Sequence, residues 1–461
     1  MLRLNLLRGV LGAAAAILIY QLCVPPILGL ADQGDFAKII GHFGYGPEDK
    51  SPDLKYAFVQ RTYVPDPTFR QRDWEQWTSE YLFVHSALLV NKLVSKEGRL
   101  DIVVVGLVHM MVFLAAFARL LHLTRTYRFA PLLWIAALLV LTDAGYVAYW
   151  NSFYPEPASC LFFLLLLTES IAILHASHVS RLHVARWSLW AVLWVMAKPQ
   201  NAPLGLVLAL FSLRLRNSAL AFVLIGTAAV VSIMTIPPPT QRAATYNQVF
   251  MAILPDSTQP SVDLQSLGLP PDLVRYSGTG AWSAGTAFTE METSGLIGVR
   301  VTPGAIVRFY LAHPGRVWRR AKAVLPVAFS LRPTYGNFEP SAGHPPGARS
   351  ATFSLWSAIH ERYFTRCGKI ILIALLITPA LVAAAWLRLT HHRRSLEFFG
   401  LLTVCCLLSF AVAICGDAYD NVKHLFLFNL LLDTWLFAAV GQALSLQPAF
   451  SRLLGALWNM L

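Results

Sequence analysis

Charge is scarce in this chain. Asp, Glu, Lys and Arg make up 13% of its 461 residues, where soluble proteins carry about 25%, and the shortfall excludes an ordinary water-soluble domain. Carboxylates are rarer than cations, 25 against 37, which leaves a formal net charge of +12. A nucleic-acid partner would need that surplus along one basic stripe with interleaved aromatics. Here the arginines are spread over loop ends, so membrane topology and contact with the lipid bilayer account for them better. Cysteine is sparse as well: Cys23, Cys160, Cys405, Cys406 and Cys415 lie in or beside apolar runs, where a thiol is most often a small core residue. Neither a disulfide framework nor a zinc site is indicated, and no internal repeat points to a second catalytic domain.

What fills the chain instead is hydrocarbon, with 56% hydrophobic residues. Apolar runs at 10–30, 101–121, 129–149, 157–175, 218–236, 368–387, 397–415 and 425–443 are each close to the ~20 residues that cross a bilayer. A cleaved leader ending near Gly29 and Ala31 is the rival reading of the first run. A weaker pair, 185–198 and 201–213, is split by Lys198, Pro199, Gln200 and Asn201, and reads as a thin hairpin or a re-entrant pair. Counting both halves gives an all-α polytopic membrane protein of about ten transmembrane helices with both termini inside. That threading puts Arg119, Arg125 and Arg128, Arg181 and Arg186, Arg214 and Arg216, and Arg388, Arg393 and Arg394 on one side, as the positive-inside rule requires. The expected location is the inner (cytoplasmic) membrane.

The same threading divides the chain into an N-terminal membrane module, 1–236, an outer cap, 237–366, and a C-terminal membrane module, 367–461. The first outer loop, 31–100, carries carboxylates and then an interfacial aromatic stretch through Trp74 and Trp77. The cap opens on the breaker run Pro237–Pro239, passes through a Gly, Ser and Thr-rich stretch at 277–295, and holds a basic helix-like segment at 308–324.

Three polar segments then meet at the non-cytoplasmic rim: 34–38, 150–157 and 416–424. A polar group beside hydrocarbon is costly and tends to be kept where it has a partner or a task. Asp32 and Asp35 follow the first span. Such a carboxylate can take the proton of an attacking hydroxyl or hold a divalent metal against a phosphate, although Asp is also an ordinary turn and cap residue. Glu156 is fixed between Pro155 and Pro157, with Asn151 and Tyr154 in the same turn; the alternative there is an interfacial aromatic belt. Lys423 and His424 suit a lipid phosphate, or a salt-bridged turn with Asp417 and Asp420. Arg308, His313 and Arg316 in the cap suit a pyrophosphate or anionic headgroups. Asn429 and Asp433, one helical turn apart, are expected to satisfy each other or a neighbouring helix.

An acidic residue just after the first span, an aromatic-Pro-Glu turn, and a last outer turn of the form Gly-Asp…Lys-His resemble the polytopic GT-C class of glycosyltransferases. The resemblance implies transfer of a sugar from a polyprenyl-phosphate carrier to an acceptor glycan, lipid or protein at the outer face. It implies Asp35, or second Asp32, as catalytic base, Glu156 as a site wall or acceptor-orienting residue, and Lys423 with His424 as the carrier-phosphate clamp. The chain departs from that class in lacking an adjacent Asp-Glu pair or Asp-x-Asp in its first loop, and in placing a lysine where arginine is the stronger bidentate ligand. Two other classes share the composition: a polytopic lipid or glycan transporter and a non-catalytic scaffold of envelope assembly.

Overall fold

The computed structural model describes residues 2–94, 98–215 and 218–458, so Arg216 of the basic clusters lies outside the described residues. Among the described residues six helices are long and apolar enough to cross a bilayer, or up to eight if two bent pairs each count as one span. In chain order the first helices are α1 (Leu2–Cys23), α2 (Glu80–Val94), α3 (Ile102–Thr124), α4 (Ala130–Leu141), α5 (Ala144–Val147), α6 (Glu156–His175), α7 (Arg181–Val195), α8 (Ala202–Ser212) and α9 (Ala219–Met234). The remainder are α10 (Pro238–Asn247), α11 (Pro260–Ser266), α12 (Phe288–Thr293), α13 (Pro303–Ala312), α14 (Pro314–Ala328), α15 (Leu355–Ile359), α16 (Thr365–Arg388), α17 (Arg393–Gly416), α18 (Asn421–His424) and α19 (Phe426–Trp458).

Breaks in these helices follow local chemistry that hydropathy does not register. The first span stops at Cys23 and not at Leu30, because Pro25 and Pro26 cannot continue it; residues 27–31 run on as buried, non-helical chain. The third apolar run is bent by 47° at Thr142–Asp143, where the Asp143 side chain accepts the Gly145 amide and starts a new helix. The helix pair 219–234 and 238–253 bends by 77° at its proline run. Conversely, the sixth apolar run starts early: Leu355–Arg388 is a single 34-residue helix whose first turns fall inside the segment read as cap. The weak pair is real as two helices, but α7 has 15 residues and α8 has 11. At 1.5 Å per residue these reach about 22 and 16 Å, short of a ~30 Å hydrocarbon core. Six to eight candidate spans thus stand against the expected count of about ten, and the short pair fits the hairpin or re-entrant reading.

Nor is the chain purely helical. Three short strands, β1 (Tyr45–Pro47), β2 (Thr62–Pro65) and β3 (Leu100–Asp101), form an antiparallel sheet with Tyr45 opposite Pro65 and Tyr63 opposite Leu100. Thr62, Tyr63 and Val64 are residue types that favour strands. The sheet positions the site, since buried Tyr63 packs edge-on against Phe153, which in turn packs against Phe36.

The helix ends sort into two groups. At one end the Arg3 guanidinium donates to the carbonyls of Arg125 and Tyr127, and Arg394 donates to those of Ile173 and Ala176. These basic residues thus close the carbonyl ends of α3 and α6, where cations are favoured. At the other end the two long outer segments are knitted together. Backbone bonds from Ala31 to Gly336 and from Val59 to Phe338 thread the strip 336–338 between the first-span exit and the first loop. Only glycine fits at Gly336, where a Cβ would lie 1.8 Å from the Ala57 carbonyl oxygen. The part of the second outer segment between Ala243 and Tyr310 builds its own small apolar core around Tyr246, Phe250, Phe288 and Phe309, whereas α14 joins the main core.

Candidate functional site

At this knitted end lies a cavity of about 1330 Å³, whose lining, drawn from many parts of the chain, includes 33–35 with Lys38, Pro155–Glu156, Lys198–Gln200, and 415–424 in part. The three segments singled out by sequence do converge, and the α7/α8 break joins them as a fourth.

Asp35 opens a short helical turn, and three side chains hold it. Lys38 Nζ reaches Oδ1 at 2.5 Å, while Lys423 Nζ at 2.5 Å and Gln33 Nε2 at 2.6 Å reach Oδ2. Burial alone would push its carboxyl up, but the charges of Lys38 and Lys423 hold it well below the usual range. Lys423 is itself buried, stands 5.1 Å over the Tyr154 ring, and is held protonated against burial chiefly by Asp35. Tyr335 carries the network onward: its hydroxyl contacts Gln33 Oε1 at 2.5 Å and also the carboxylate of Asp420.

Glu156 forms the second pole. It opens α6 between two prolines, is 1% exposed, and accepts Lys198 Nζ at 2.7 Å through Oε1. Its Oε2 is buried without a hydrogen-bond partner. A frame of buried groups holds this turn. Glu80 Oε2 accepts the Ala158 amide at 3.0 Å, Glu80 Oε1 meets His109 Nε2 at 2.8 Å, and His109 Nδ1 meets the Trp150 carbonyl at 3.0 Å.

Other sequence candidates take different places. Asp32 does not line the cavity; it accepts the amides of Gly34 at 2.6 Å and Phe36 at 3.1 Å and shapes the turn that presents Asp35. Burial pushes its carboxyl up despite those amides. Asn151 is wholly buried and ties Leu22 and Leu28 by their carbonyls at 3.0 and 2.8 Å, bracing the non-helical exit of the first span. Tyr154 donates to the Ala31 carbonyl at 2.8 Å, so it supports the cavity floor under Lys423. His424 lines the cavity but faces Asp417 at 3.8 Å, away from the Asp35 cluster. Arg308 and His313 are exposed and Arg316 pairs with Asp263 at 2.7 Å; none of the three lines the cavity. The basic segment breaks at His313–Pro314, and Arg320 further along it is buried and donates to the Ile414 carbonyl and Asn421. Asn429 and Asp433 turn to other elements, Asn429 to the Ala328 carbonyl and Asp433 to His360, Tyr146 and Trp356. Among the described residues no three His, Cys, Asp or Glu side chains are grouped to share a metal ion.

Lys38 and Lys198 are the residues that sequence reasoning left out of the site. For Lys198 there was a signal, a lone ionisable residue beside a proline between two apolar runs. Rings also contribute to the lining: half-buried Trp74 of the first loop and exposed Trp282 of the Gly-rich stretch pack at 5.4 Å, and exposed Tyr56 and Tyr419 line the cavity as well.

Residues 6–452 match the family described as the YfdI N-terminal transmembrane domain. The chain belongs to this family. The match runs through every helix that lines the cavity, and it agrees with the mostly helical, membrane-spanning architecture above. No curated protein and no solved structure matches the chain.

Proposed function

We propose that this membrane protein is a glycosyltransferase that moves a sugar from a polyprenyl-phosphate carrier to an acceptor glycan, lipid or protein at the outer face of the cytoplasmic membrane. The observation that carries this reading is the pairing, in one cavity, of two carboxylates with three ammonium groups: Asp35 between Lys38 and Lys423, and Glu156 on Lys198. Displacement at an anomeric carbon needs a carboxylate for the proton of the attacking hydroxyl and cations for the charge that grows on the departing phosphate. An amphiphilic donor also needs an apolar wall. Ile236, Ile306, Val307 and Val412 supply one around the bend between α9 and α10. The spans at 368–387 and 425–443 contribute no residue to the lining.

A polytopic lipid transporter is the second reading, favoured by the broken α7/α8 pair whose break lines the cavity. Purification in mild detergent, followed by mass spectrometry of the retained lipid and incubation with a prenyl-phosphate sugar, separates the two. Sugar turnover onto an acceptor is expected; lipid retained with its sugar intact under every acceptor tried supports transport and removes the enzyme.

A further inference from the structure

Of the five carboxylates that line the cavity, Asp35 and Glu156 are the two paired with lysines, and their surroundings are unlike. Both oxygens of Asp35 are engaged, by two ammonium groups and one amide. Its carboxyl is held well below the usual range, although burial opposes this, and a base so weakened takes up a proton poorly at neutral pH. Glu156 has one oxygen on Lys198 and the other buried with nothing to accept from. A buried acceptor left unpaired costs about 1–3 kcal/mol, which a hydroxyl donor from a ligand relieves. Glu156 lines the cavity, and because its terminal torsion is broad a rotation short of the two-fold flip, which only exchanges the two oxygens, can bring one of them toward that space. Its backbone is not free to drift, because Pro155, Pro157 and the Glu80–His109 frame fix the turn.

We infer that Glu156, anchored by Lys198, is the group that accepts the proton of the attacking hydroxyl, and that Asp35 is the resident counter-ion of a phosphate site built from Lys38 and Lys423. This assignment rests on the glycosyltransferase reading and deepens it. In the step, the acceptor O–H bond breaks and its proton passes to a Glu156 oxygen. The freed electron pair forms the new bond to the anomeric carbon, the bond from that carbon to the phosphate oxygen breaks, and its electrons leave with the prenyl phosphate. Lys38 and Lys423 turn from Asp35 to that phosphate and balance the charge it gains. No further reactant is needed. Lys198 is a positioning residue, since its ammonium is spent on the Glu156 carboxylate.

The test is transfer from a prenyl-phosphate sugar by the full-length protein in detergent. Glu156→Gln is isosteric and is expected to slow turnover about 10²-fold or more, with donor KM and retention of the prenyl phosphate unchanged. Glu156→Asp should recover part of the rate, and added formate should restore Glu156→Gly, which a purely structural glutamate would not allow. Asp35→Asn is expected to act mainly on donor KM. The assignment is overturned if Glu156→Gln turns over like the wild type, or if Asp35→Asn is the variant that binds donor normally and is dead. A wild type that transfers no sugar from any prenyl-phosphate donor overturns the enzyme reading itself, so the two failures are distinguishable.

Discussion

At the scale of single residues, the decisive fact is how much charge is packed around Asp35. Lys423 is 4% exposed, and removing the Asp35 carboxylate takes away the strongest of the opposite charges on this buried ammonium, with Asp420 and Glu156 remaining. Breaking a buried pair costs about 3–5 kcal/mol, and with Asp35 and Lys38 each about a quarter exposed a discounted figure of about 2 kcal/mol is appropriate. Asp35→Asn should therefore lower the melting temperature, and a prenyl phosphate should restore much of the loss by occupying the two lysines. No change in melting, with or without lipid, would remove the counter-ion role. The pH dependence has a definite sign. Because the Asp35 carboxyl is depressed in the fold, its stabilisation is fully present above its unfolded value near 3.9 and fades as pH falls through the lower folded value. Asp417, held down against burial by His424 and two amide donors, adds to the same limb. Wild-type melting should thus steepen downward below about pH 4, and Asp35→Asn should flatten that limb. Lys423→Ala should weaken retention of prenyl phosphate more than His424→Ala, which loses contact only with Asp417; equal losses would place the phosphate between them.

At the scale of elements, the sequence disclosed the rim and hid the breaks. Asp35, Glu156 and Lys423 were legible because polar side chains at the ends of long apolar runs stand out against hydrocarbon. Asn151 and Asp32 stood out for the same reason, yet they satisfy backbone groups that irregular chain leaves open, a need that no residue pattern announces. Arg308, His313 and Arg316 were misplaced because His313–Pro314 divides one basic run into two helices, and none of the three lines the cavity. The sheet was missed because two of its strands are three residues or fewer. Asp433 shows what periodicity cannot supply. Its partner His360 lies 73 residues away, and together with Tyr146 and Trp356 the pair clamps the long helix Leu355–Arg388 to the bend after α4. Since one carboxylate serves three donors, two of them wholly buried, Asp433→Ala should cost about 3–5 kcal/mol. Replacing Asp433 and His360 together by leucines should cost less than the sum of the single changes. Melting in detergent measures both, and strict additivity would mean that the two residues do not work as a pair.

At the scale of the whole molecule, the site argument depends on which way the helix ends face. One end holds Arg3, Arg125, Arg394 and the carbonyl ends of α3 and α6, and the other holds the cavity and both long outer segments. This separation is what the positive-inside rule acts on, so the basic end should face the cytoplasm and the cavity should open outward. Impermeant thiol labelling of intact cells measures it directly. Of the six cysteines, Cys367 is the exposed one and is best changed to serine first. Single cysteines at Asp53, Ser341 and Asp420 should then react, and those at Arg125 and Arg393 should react only after the membrane is opened. Asp53 and Ser341 lie on exposed chain of the two outer segments, and Asp420 lines the cavity, so reagent access is not limited by burial at the first two and reports cavity access at the third. Labelling at Arg125 and Arg393 in sealed cells would invert the molecule. The lysines around Asp35 would then face the cytoplasm, and an outer-face transferase would have to give way to a reaction or transport step fed from inside.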